Sequence, residues 1–195
     1  MKDIRRRKRK TKPGHPFIPL VREFWGALPY RNKPKYIESP VSNVLIYDYD
    51  YCRPCVSDFD CTREVQAIQL RERRRRLPDL KYNFLIGGMG RVYEGRGWHI
   101  RPQVDEQHAD IEDDCLLIAL IGKEIDEEFG TRRKMRFKMM RGLEEFLRFS
   151  VEHRYISPNF LQYNASRTSR QGAVDIPDHI LKMMAKPEPR PKLMF

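Results

Sequence analysis

A chain of 195 residues, of which 40% are hydrophobic and 11% aromatic, is long enough to fill the core of one domain of ordinary size. No run approaches the roughly 18 consecutive apolar residues of a membrane-spanning helix, so the sequence predicts no transmembrane segment. The basic N-terminus is not followed by an apolar stretch, and we therefore expect no secretory signal in the residues present.

The net charge of +11 is concentrated at the N-terminus. Residues 1–12 hold eight Lys or Arg and one Asp, a net charge of +7, which leaves +4 for the remaining 183 residues. Such a tail is more typical of a solvated arm, a localisation signal or a stop-transfer flank than of a nucleic-acid groove. Because no zinc finger, helix-turn-helix or RNA-binding motif follows, nucleic acid is not an expected partner. We predict a disordered basic arm at residues 1–16, one domain at 17–186 and a Pro-rich tail at 187–195.

The first half of the domain alternates between extended and helical patterns. A Pro-rich segment around Trp25 predicts an extended chain that is held in place by burial of the indole. Residues 44–46 predict a compact apolar strand, and the sequence YDYDY follows at 47–51. Helix signals begin near Asp60 and end before Pro78. The inner face of this helix is expected to hold Val65, Ile68, Gln69 and Leu70, and its C-terminal cations, Arg71 to Arg76, complement the helix dipole.

The segment YNFLIGGMGRVYEGRGW at residues 82–98 predicts a tight β-hairpin. Residues 84–86 form its first strand, and residues 92–93 begin the return strand. The turn between them needs positive φ angles, which are expected at Gly87, Gly88 and Gly90.

The second half of the domain contains one further strand and one long helix. Residues 99–114 lack periodicity and are rich in acidic side chains, which predicts a surface loop rather than a calcium site. The apolar run at 116–122 predicts a central strand buried on both faces. Apolar residues then recur every three to four positions from about Thr131 to His153, which predicts a long helix, and a short helix is expected at 178–184. These elements indicate an α/β domain with a central mixed β-sheet flanked by helices.

Four cysteines lie at positions 52, 55, 61 and 115. The Cys52-Arg-Pro-Cys55 spacing matches half of a zinc site, but no second pair and no histidine at zinc-finger spacing follows it. Cys55 and Cys61, which flank VSDFD, are better suited to a small disulfide loop, and such a loop indicates an oxidising compartment. Cys52 and Cys115 are left either to pair with each other or to remain free.

Several segments, in the same order along the chain, resemble the motifs of the peptidoglycan-recognition proteins, which are relatives of phage-type zinc N-acetylmuramoyl-L-alanine amidases. The hairpin at 82–98 is similar to the central hairpin of that family, and REFWGALP at 22–29 resembles its opening motif. SPVSNVLI resembles the first core strand, CVSDFDC the small disulfide loop, CLLIALIGKE a later strand, and VEHRYISPNF the close of the second long helix. The resemblance extends from about residue 22 to residue 179 and implies the amidase-like fold of the family.

The resemblance also implies that the zinc site of the family is lost. Active members hold zinc with two histidines and a cysteine, and a hairpin tyrosine assists. Tyr82 matches that tyrosine, whereas Tyr47 stands at the first histidine. Asn164 or Ala165 stands at the second, and no cysteine follows Cys115 to provide the third ligand near residue 172. The five histidines of the chain form no alternative metal-binding spacing, so we expect no zinc, no other cofactor and no amidase activity.

Family members bind muropeptides in a groove, and the resemblance assigns its lining here to Tyr47, Asp48, Tyr49, Tyr82, Trp98, His99 and Arg101. The alternate tyrosines of YDYDY can stack on sugar faces while the aspartates accept hydroxyl hydrogen bonds. Alternatively, the tyrosines pack in the interior and the aspartates face water. Arg101 can pair with a peptide carboxylate, or it is an ordinary surface side chain. The Gly-Trp of the family is kept at 97–98, but the Asn and Gly-Ala-His that follow it are replaced.

Three functions follow from the resemblance. The first is a non-catalytic recognition protein of innate immunity that binds peptidoglycan fragments. The second is the same fold with a non-binding groove, acting as a decoy or negative regulator through a protein partner such as another recognition protein. The third is an active zinc amidase. The cysteine loop predicts an extracellular location, secreted or as an ectodomain whose membrane anchor lies outside this sequence, and an intracellular location is the alternative.

Overall fold

The computed structural model describes residues 18–49, 52–122 and 129–165, with side-chain positions for all of these except 129–135 and 164–165. The predicted arm, the C-terminal tail, Asp50, Tyr51 and the helix expected at 178–184 lie outside these ranges. The elements in chain order are α1 (Arg22–Trp25), β1 (Val41–Asp48), α2 (Asp58–Arg74), β2 (Phe84–Ile86), β3 (Val92–Glu94), a 3₁₀ helix (Glu106–Asp114), β4 (Cys115–Leu120), α3 (Phe129–Glu152) and β5 (Ile156–Ala165).

The five strands form one mixed sheet in the order β3-β2-β4-β1-β5. Strand β1 lies between β4 and β5 and is parallel to both. Strand β2 is parallel to β4, and β3 closes the far edge as the antiparallel arm of the hairpin. Parallel neighbours need crossover connections, which α2 and α3 supply. The predicted α/β class, with a central mixed sheet flanked by helices, is confirmed.

The sheet separates two apolar clusters. Because side chains alternate along a strand, Val44 and Ile46 of β1 face one cluster while Leu45 and Tyr47 face the other. The first cluster is completed by α3, through Met139, Leu143 and Phe146, and the second by α2, through Val65 and Ile68. Strand β4 is buried along its whole length, as expected for a central parallel strand.

Helix α2 begins two residues before the predicted start. Ser57 caps it, since the hydroxyl of Ser57 accepts a hydrogen bond from the Asp60 amide at 3.1 Å. Gln69 is buried as expected, but Leu70 is 46% exposed because it lies off the face that packs on the sheet. Helix α3 matches its prediction closely. None of the helices in the described ranges is both long and apolar enough to cross a bilayer.

The hairpin of β2 and β3 is confirmed, but two of its glycines serve a different purpose from the one predicted. Of the three turn glycines, Gly90 alone has a positive φ, at 85°. Position 87 requires a glycine because a Cβ there would lie 2.7 Å from Sγ of Cys61. The amide of Gly88 donates to Sγ of Cys55 at 3.3 Å. The turn therefore packs directly on the two cysteines that follow β1.

Two segments of the second half differ from the prediction. Residues Glu106–Asp114 form a 3₁₀ helix, kinked at His108, instead of an irregular loop. Residues Ile156–Ala165 form strand β5, whereas the resemblance had assigned part of this segment to the close of a helix. Strand β5 lies at the sheet edge, where Pro158 and several polar residues are tolerated, so it lacks the apolar pattern that identifies a strand.

The N-terminal segment is anchored to the sheet as predicted, although α1 replaces part of the expected extended chain. Trp25 is 1% exposed, and its Nε1 donates a hydrogen bond to the Glu94 carbonyl at 2.9 Å. Arg22 pairs with the fully buried Asp79 at 2.7 Å. The same carboxylate accepts a hydrogen bond from Nε2 of Gln69 at 2.7 Å. The segment is thus tied both to β3 and to the end of α2.

Arg154, just after α3, has a positive φ of 59°. The Tyr155 amide donates to the Ser150 carbonyl at 2.8 Å and the Arg154 amide to the Val151 carbonyl at 3.1 Å, the pattern of a Schellman motif, which favours glycine. We expect R154G to raise the free energy of unfolding by about 0.5–1 kcal/mol in urea denaturation, because glycine removes the left-handed steric penalty. R148G, inside the same helix, should lower it by about 1 kcal/mol. A destabilised R154G would contradict the helix ending.

Candidate functional site

The C-terminal ends of the parallel strands bring predicted site positions together. In the sheet register, Tyr47 of β1 lies opposite Ala119 of β4 on one side and Ala165 of β5 on the other. Asn164 pairs with Ile46, one position earlier. The positions that the resemblance assigns to the two histidine ligands are therefore neighbours in adjacent strands, at the edge where open α/β sheets place their ligand sites.

Three tyrosine rings fill this end of the sheet. The Tyr82 ring centroid lies 5.9 Å from the rings of both Tyr47 and Tyr49. The exposed fractions are 6% for Tyr47, 4% for Tyr49 and 2% for Tyr82, so interior packing is the alternative that holds for these tyrosines. The same alternative expected the aspartates to face water. Asp48 is only 5% exposed, so it does not.

Arg71 of α2 covers the ring of Tyr49. Its guanidinium carbon lies 5.6 Å from the ring centroid, and the same group pairs with the buried carboxylate of Glu64 at 2.8 Å. Burial raises the pKa of Tyr49, and the Arg71 cation opposes this rise. Tyr49 is therefore a neutral phenol at pH 7.

A polar cleft of about 340 Å³ opens beside Arg71. Its charged lining consists of Arg53, Asp60, Arg63, Glu64, Arg71 and Arg74. From the sequence, the arginines at the end of α2 were assigned only to the helix dipole, and this cleft was missed. A signal was available, because positions 63, 67, 70, 71 and 74 recur at the three- and four-residue spacings of one helix face.

The predicted disulfide joins Cys55 and Cys61, with an S–S distance of 2.14 Å. Both cysteines belong to the buried cluster that contains the three tyrosines. Cys52 and Cys115 are not joined to each other. The Cys52 thiol contacts the Tyr49 carbonyl at 3.0 Å, and burial raises the pKa of the Cys115 thiol to about 12. The disulfide therefore fixes the loop after β1 against the candidate site.

Trp98 and His99 lie away from the tyrosines, contrary to expectation. Trp98 packs on the opposite face of the sheet, with its ring centroid 4.3 Å from that of Phe84 and 5.1 Å from that of Phe146. His99 is exposed, and its ring lies 5.9 Å from the ring of Tyr155. These two residues therefore do not line one groove with Tyr47 and Tyr82.

Arg101 is held by acidic side chains of the 3₁₀ helix. Its guanidinium pairs with Glu112, and its Nε lies 3.0 Å from the Asp113 carboxylate. The side chain is 22% exposed. Arg101 is thus neither an open surface residue nor a cation available to a ligand carboxylate without loss of these ion pairs.

A zinc ion does not fit the groups gathered at the strand ends. Tyr47 contributes a buried phenol, and positions 164 and 165 are asparagine and alanine, so none of the three provides an imidazole. Across residues 18–49, 52–122 and 129–165, no group of three or more His, Cys, Asp or Glu is arranged to hold a metal ion. Residue 172, near which the third ligand is expected, lies outside these ranges.

The fold and the site define a class of protein. A mixed α/β sheet, a disulfide-closed loop after its first strand and a tyrosine before its central hairpin are the features expected of an amidase-type recognition domain. No protein-family model matches the chain. Similarity to individual proteins and structures is nevertheless clear.

The chain is 29% identical over 178 residues to a peptidoglycan-recognition protein of Drosophila melanogaster, covering 89% of each chain. It is 35% identical over 77 residues to the N-acetylmuramoyl-L-alanine amidase of Homo sapiens. This match covers 38% of this chain and 13% of that protein. Wild-type Drosophila PGRP-LB matches the structure with a TM-score of 0.63 at 25% identity, over 74% of this chain and 80% of that chain.

A further structural neighbour is an ectodomain complex of the peptidoglycan-recognition proteins LCa and LCx with bound tracheal cytotoxin. It matches with a TM-score of 0.67 at 24% identity, over 85% of this chain and 95% of that chain, which is evidence for the fold. The chain is therefore a homologue of the peptidoglycan-recognition proteins and of the N-acetylmuramoyl-L-alanine amidases, and it has the fold of the recognition proteins.

Proposed function

We propose that this protein is a non-catalytic peptidoglycan-recognition protein that acts in the sensing of bacteria in innate immunity. One observation carries the proposal: where an amidase of this fold is expected to hold zinc, Tyr47 packs against Tyr82, with Ala165 beside it. A buried phenol, together with the asparagine at 164 or the alanine at 165, does not replace the imidazoles that hold a water-activating metal. The absence of any cysteine after Cys115 supports the same conclusion.

Binding of peptidoglycan fragments is the first proposed mode of action. The structural neighbour formed by LCa and LCx binds tracheal cytotoxin. In this chain, the cleft beside Arg71 offers Arg53, Arg63 and Arg74 to an acidic ligand. Arginine binds carboxylates through charge-assisted and often bidentate hydrogen bonds, so the peptide carboxylates of a muropeptide suit this cleft.

A protein partner is the second proposed mode, and the filled site favours it. With Tyr47, Tyr49 and Tyr82 buried, the strand ends offer no open aromatic floor for a sugar. Phe59, by contrast, is 68% exposed, and the Arg63 guanidinium lies 5.8 Å from its ring centroid. Aromatic and arginine side chains are enriched in protein interfaces. Another recognition protein is the proposed partner, with this chain as a decoy or negative regulator outside the cell, where its disulfide persists.

Calorimetric titration with Lys-type and diaminopimelate-type muropeptides tests the first mode. We expect saturable binding of one type of muropeptide. The double variant R63Q/R74Q should weaken this binding about tenfold, because two guanidinium groups that donate hydrogen bonds to the ligand's carboxylates are lost. R91Q, an exposed hairpin variant outside the cleft, should bind as the wild type does. No heat from either fragment would exclude this mode, and sedimentation of the chain with a second recognition protein would then test the partner mode.

The proposed lack of catalysis is tested separately, by metal analysis of the purified protein and by an assay for peptide release from muropeptides. We expect substoichiometric zinc and no release above the rate without protein. One zinc per chain together with released peptide would overturn the proposal.

A further inference from the structure

Arg96 is a buried cation without a carboxylate partner in the described part of the chain. The residue is 8% exposed. Its Nε donates to the Leu80 carbonyl, and its Nη1 donates to the Arg101 carbonyl at 2.9 Å. No carboxylate of the described ranges lies within 4.0 Å of its guanidinium. Two neutral carbonyls orient this group, and the acidic side chains around it act on its charge only from beyond ion-pair distance.

The nearby acids are already engaged by other partners. Asp79 pairs with Arg22 at 2.7 Å, Glu112 pairs with Arg101, and Glu72 accepts a hydrogen bond from the Lys81 amide at 2.7 Å. Burial lowers the pKa of Arg96 despite the attraction of these more distant charges. Because a buried charge without a counter-ion is unfavourable, an anion beside Arg96 would be stabilised by more than the same contact at an exposed arginine.

Arg96 lines a cavity of about 300 Å³, close to the lower end of the range for small-molecule sites. Lys33 and Lys35 line it as well, are exposed, and have no ion-pair partner among the described residues. The apolar part of the wall consists of Pro34, Pro78, Pro102 and the ring of Tyr30. Glu112, an acidic lining residue, is neutralised by Arg101. The residues that line the cavity therefore carry a net positive charge.

Gln103 adds a second kind of contact. It also lines the cavity, and its Oε1 is buried without a hydrogen-bond donor in the described structure. Buried carbonyl oxygens are normally hydrogen-bonded, so a hydroxyl group of a cavity ligand is a donor that suits this oxygen. The site thus combines cations for an oxyanion, an acceptor for a hydroxyl and flat apolar surfaces.

We propose that this cavity binds a small, sugar-sized molecule that carries a carboxylate or phosphate group and at least one hydroxyl. The oxyanion lies against Arg96 and the two lysines, the hydroxyl donates to Gln103, and the proline and tyrosine rings pack against the body of the ligand. The cavity shares no lining residue with the cleft beside Arg71, so this site is independent of muropeptide binding there.

Titration with glucuronate, glucose 6-phosphate and uncharged glucose tests the site. We expect at least tenfold tighter binding of one or both acids than of glucose, and the tighter acid identifies the anion as carboxylate or phosphate. The surface double variant K33Q/K35Q should weaken that binding at least fivefold with an unchanged circular dichroism spectrum. R96Q should abolish it, and the lysine variant remains decisive if R96Q does not fold.

Two controls separate this site from the rest of the protein. R91Q should bind the acids as the wild type does, and so should R63Q/R74Q, which tests the cleft. Equal affinity for glucose and both acids, or unchanged binding by K33Q/K35Q, would overturn the proposal. Neither result would bear on muropeptide binding in the cleft.

Discussion

Replacing Gly142 with alanine is expected to lower the free energy of unfolding by about 2 kcal/mol or more, as measured by urea denaturation. Helix propensity alone predicts the opposite, a gain of about 1 kcal/mol for alanine inside a helix. The structure reverses the sign because a Cβ at position 142 would lie 2.2 Å from the carbonyl oxygen of Gly90. The obstacle is backbone in the hairpin turn, so α3 would have to move away from the sheet, a form of overpacking.

The matched control for G142A is R136A, an exposed change in the same helix. It should alter stability by no more than about 0.5 kcal/mol, because arginine and alanine have similar helix propensities and no packing is lost. G142A at or above wild-type stability would show that α3 and the hairpin do not approach this closely in solution. A loss of stability in R136A as large as that in G142A would contradict the proposed clash between position 142 and Gly90 as the cause of the effect.

The second large effect is expected at Asn83, which is fully buried at the start of the hairpin. Its Nδ2 donates to the carbonyls of Gly97 and Ile100, both at 2.8 Å, and its Oδ1 accepts from the Leu117 amide at 2.8 Å. N83D keeps the shape but removes both donors and buries a carboxylate against two carbonyl oxygens. We expect a loss of about 3–5 kcal/mol at pH 7, the range for an uncompensated buried charge.

The pH dependence distinguishes this cause from a simple packing defect. Burial and the facing carbonyls should raise the pKa of the introduced carboxyl above its value in the unfolded chain. At pH values between these two pKa values, the folded variant holds more protons than the unfolded one, so its stability increases as pH falls. The deficit of N83D relative to the wild type should therefore be smaller at pH 5 than at pH 7, whereas exposed N159D should stay within about 0.5 kcal/mol at both.

Asn83 also explains why the hairpin is more than a local turn. It connects the start of β2 to the chain that leaves β3 and to the central strand β4, and Gly90 and Gly142 connect the turn to α3. Tyr82, adjacent to Asn83, is held against Tyr47 by the same arrangement. The tyrosine that the resemblance aligns with a catalytic residue therefore lies in close-packed surroundings.

Elements whose signals are local could be predicted from the order of residues along the chain. The apolar run of β4, the glycine-rich hairpin and the Cys55–Cys61 loop each depend on the order and spacing of neighbouring residues, and each was predicted correctly. Strand β5 was not, because an edge strand with Pro158 carries no such pattern. Family motifs in the correct order added the fold, since the sheet order of distant strands cannot be derived from periodicity.

Which side chains contact one another, by contrast, is known only from the folded chain. Tyr47 and Tyr82 come together because β2 and β1 both flank β4, while Trp98 reaches the opposite face of the sheet. Arg101 forms an ion pair with Glu112, and Arg96 is buried without an ion-pair partner among the residues that the structure describes. These outcomes depend on strand register and on the path of connecting segments, which bring together residues far apart in the chain. A charged or aromatic residue in a sequence therefore indicates its chemistry, but only its packed neighbours decide whether that chemistry is available to a ligand.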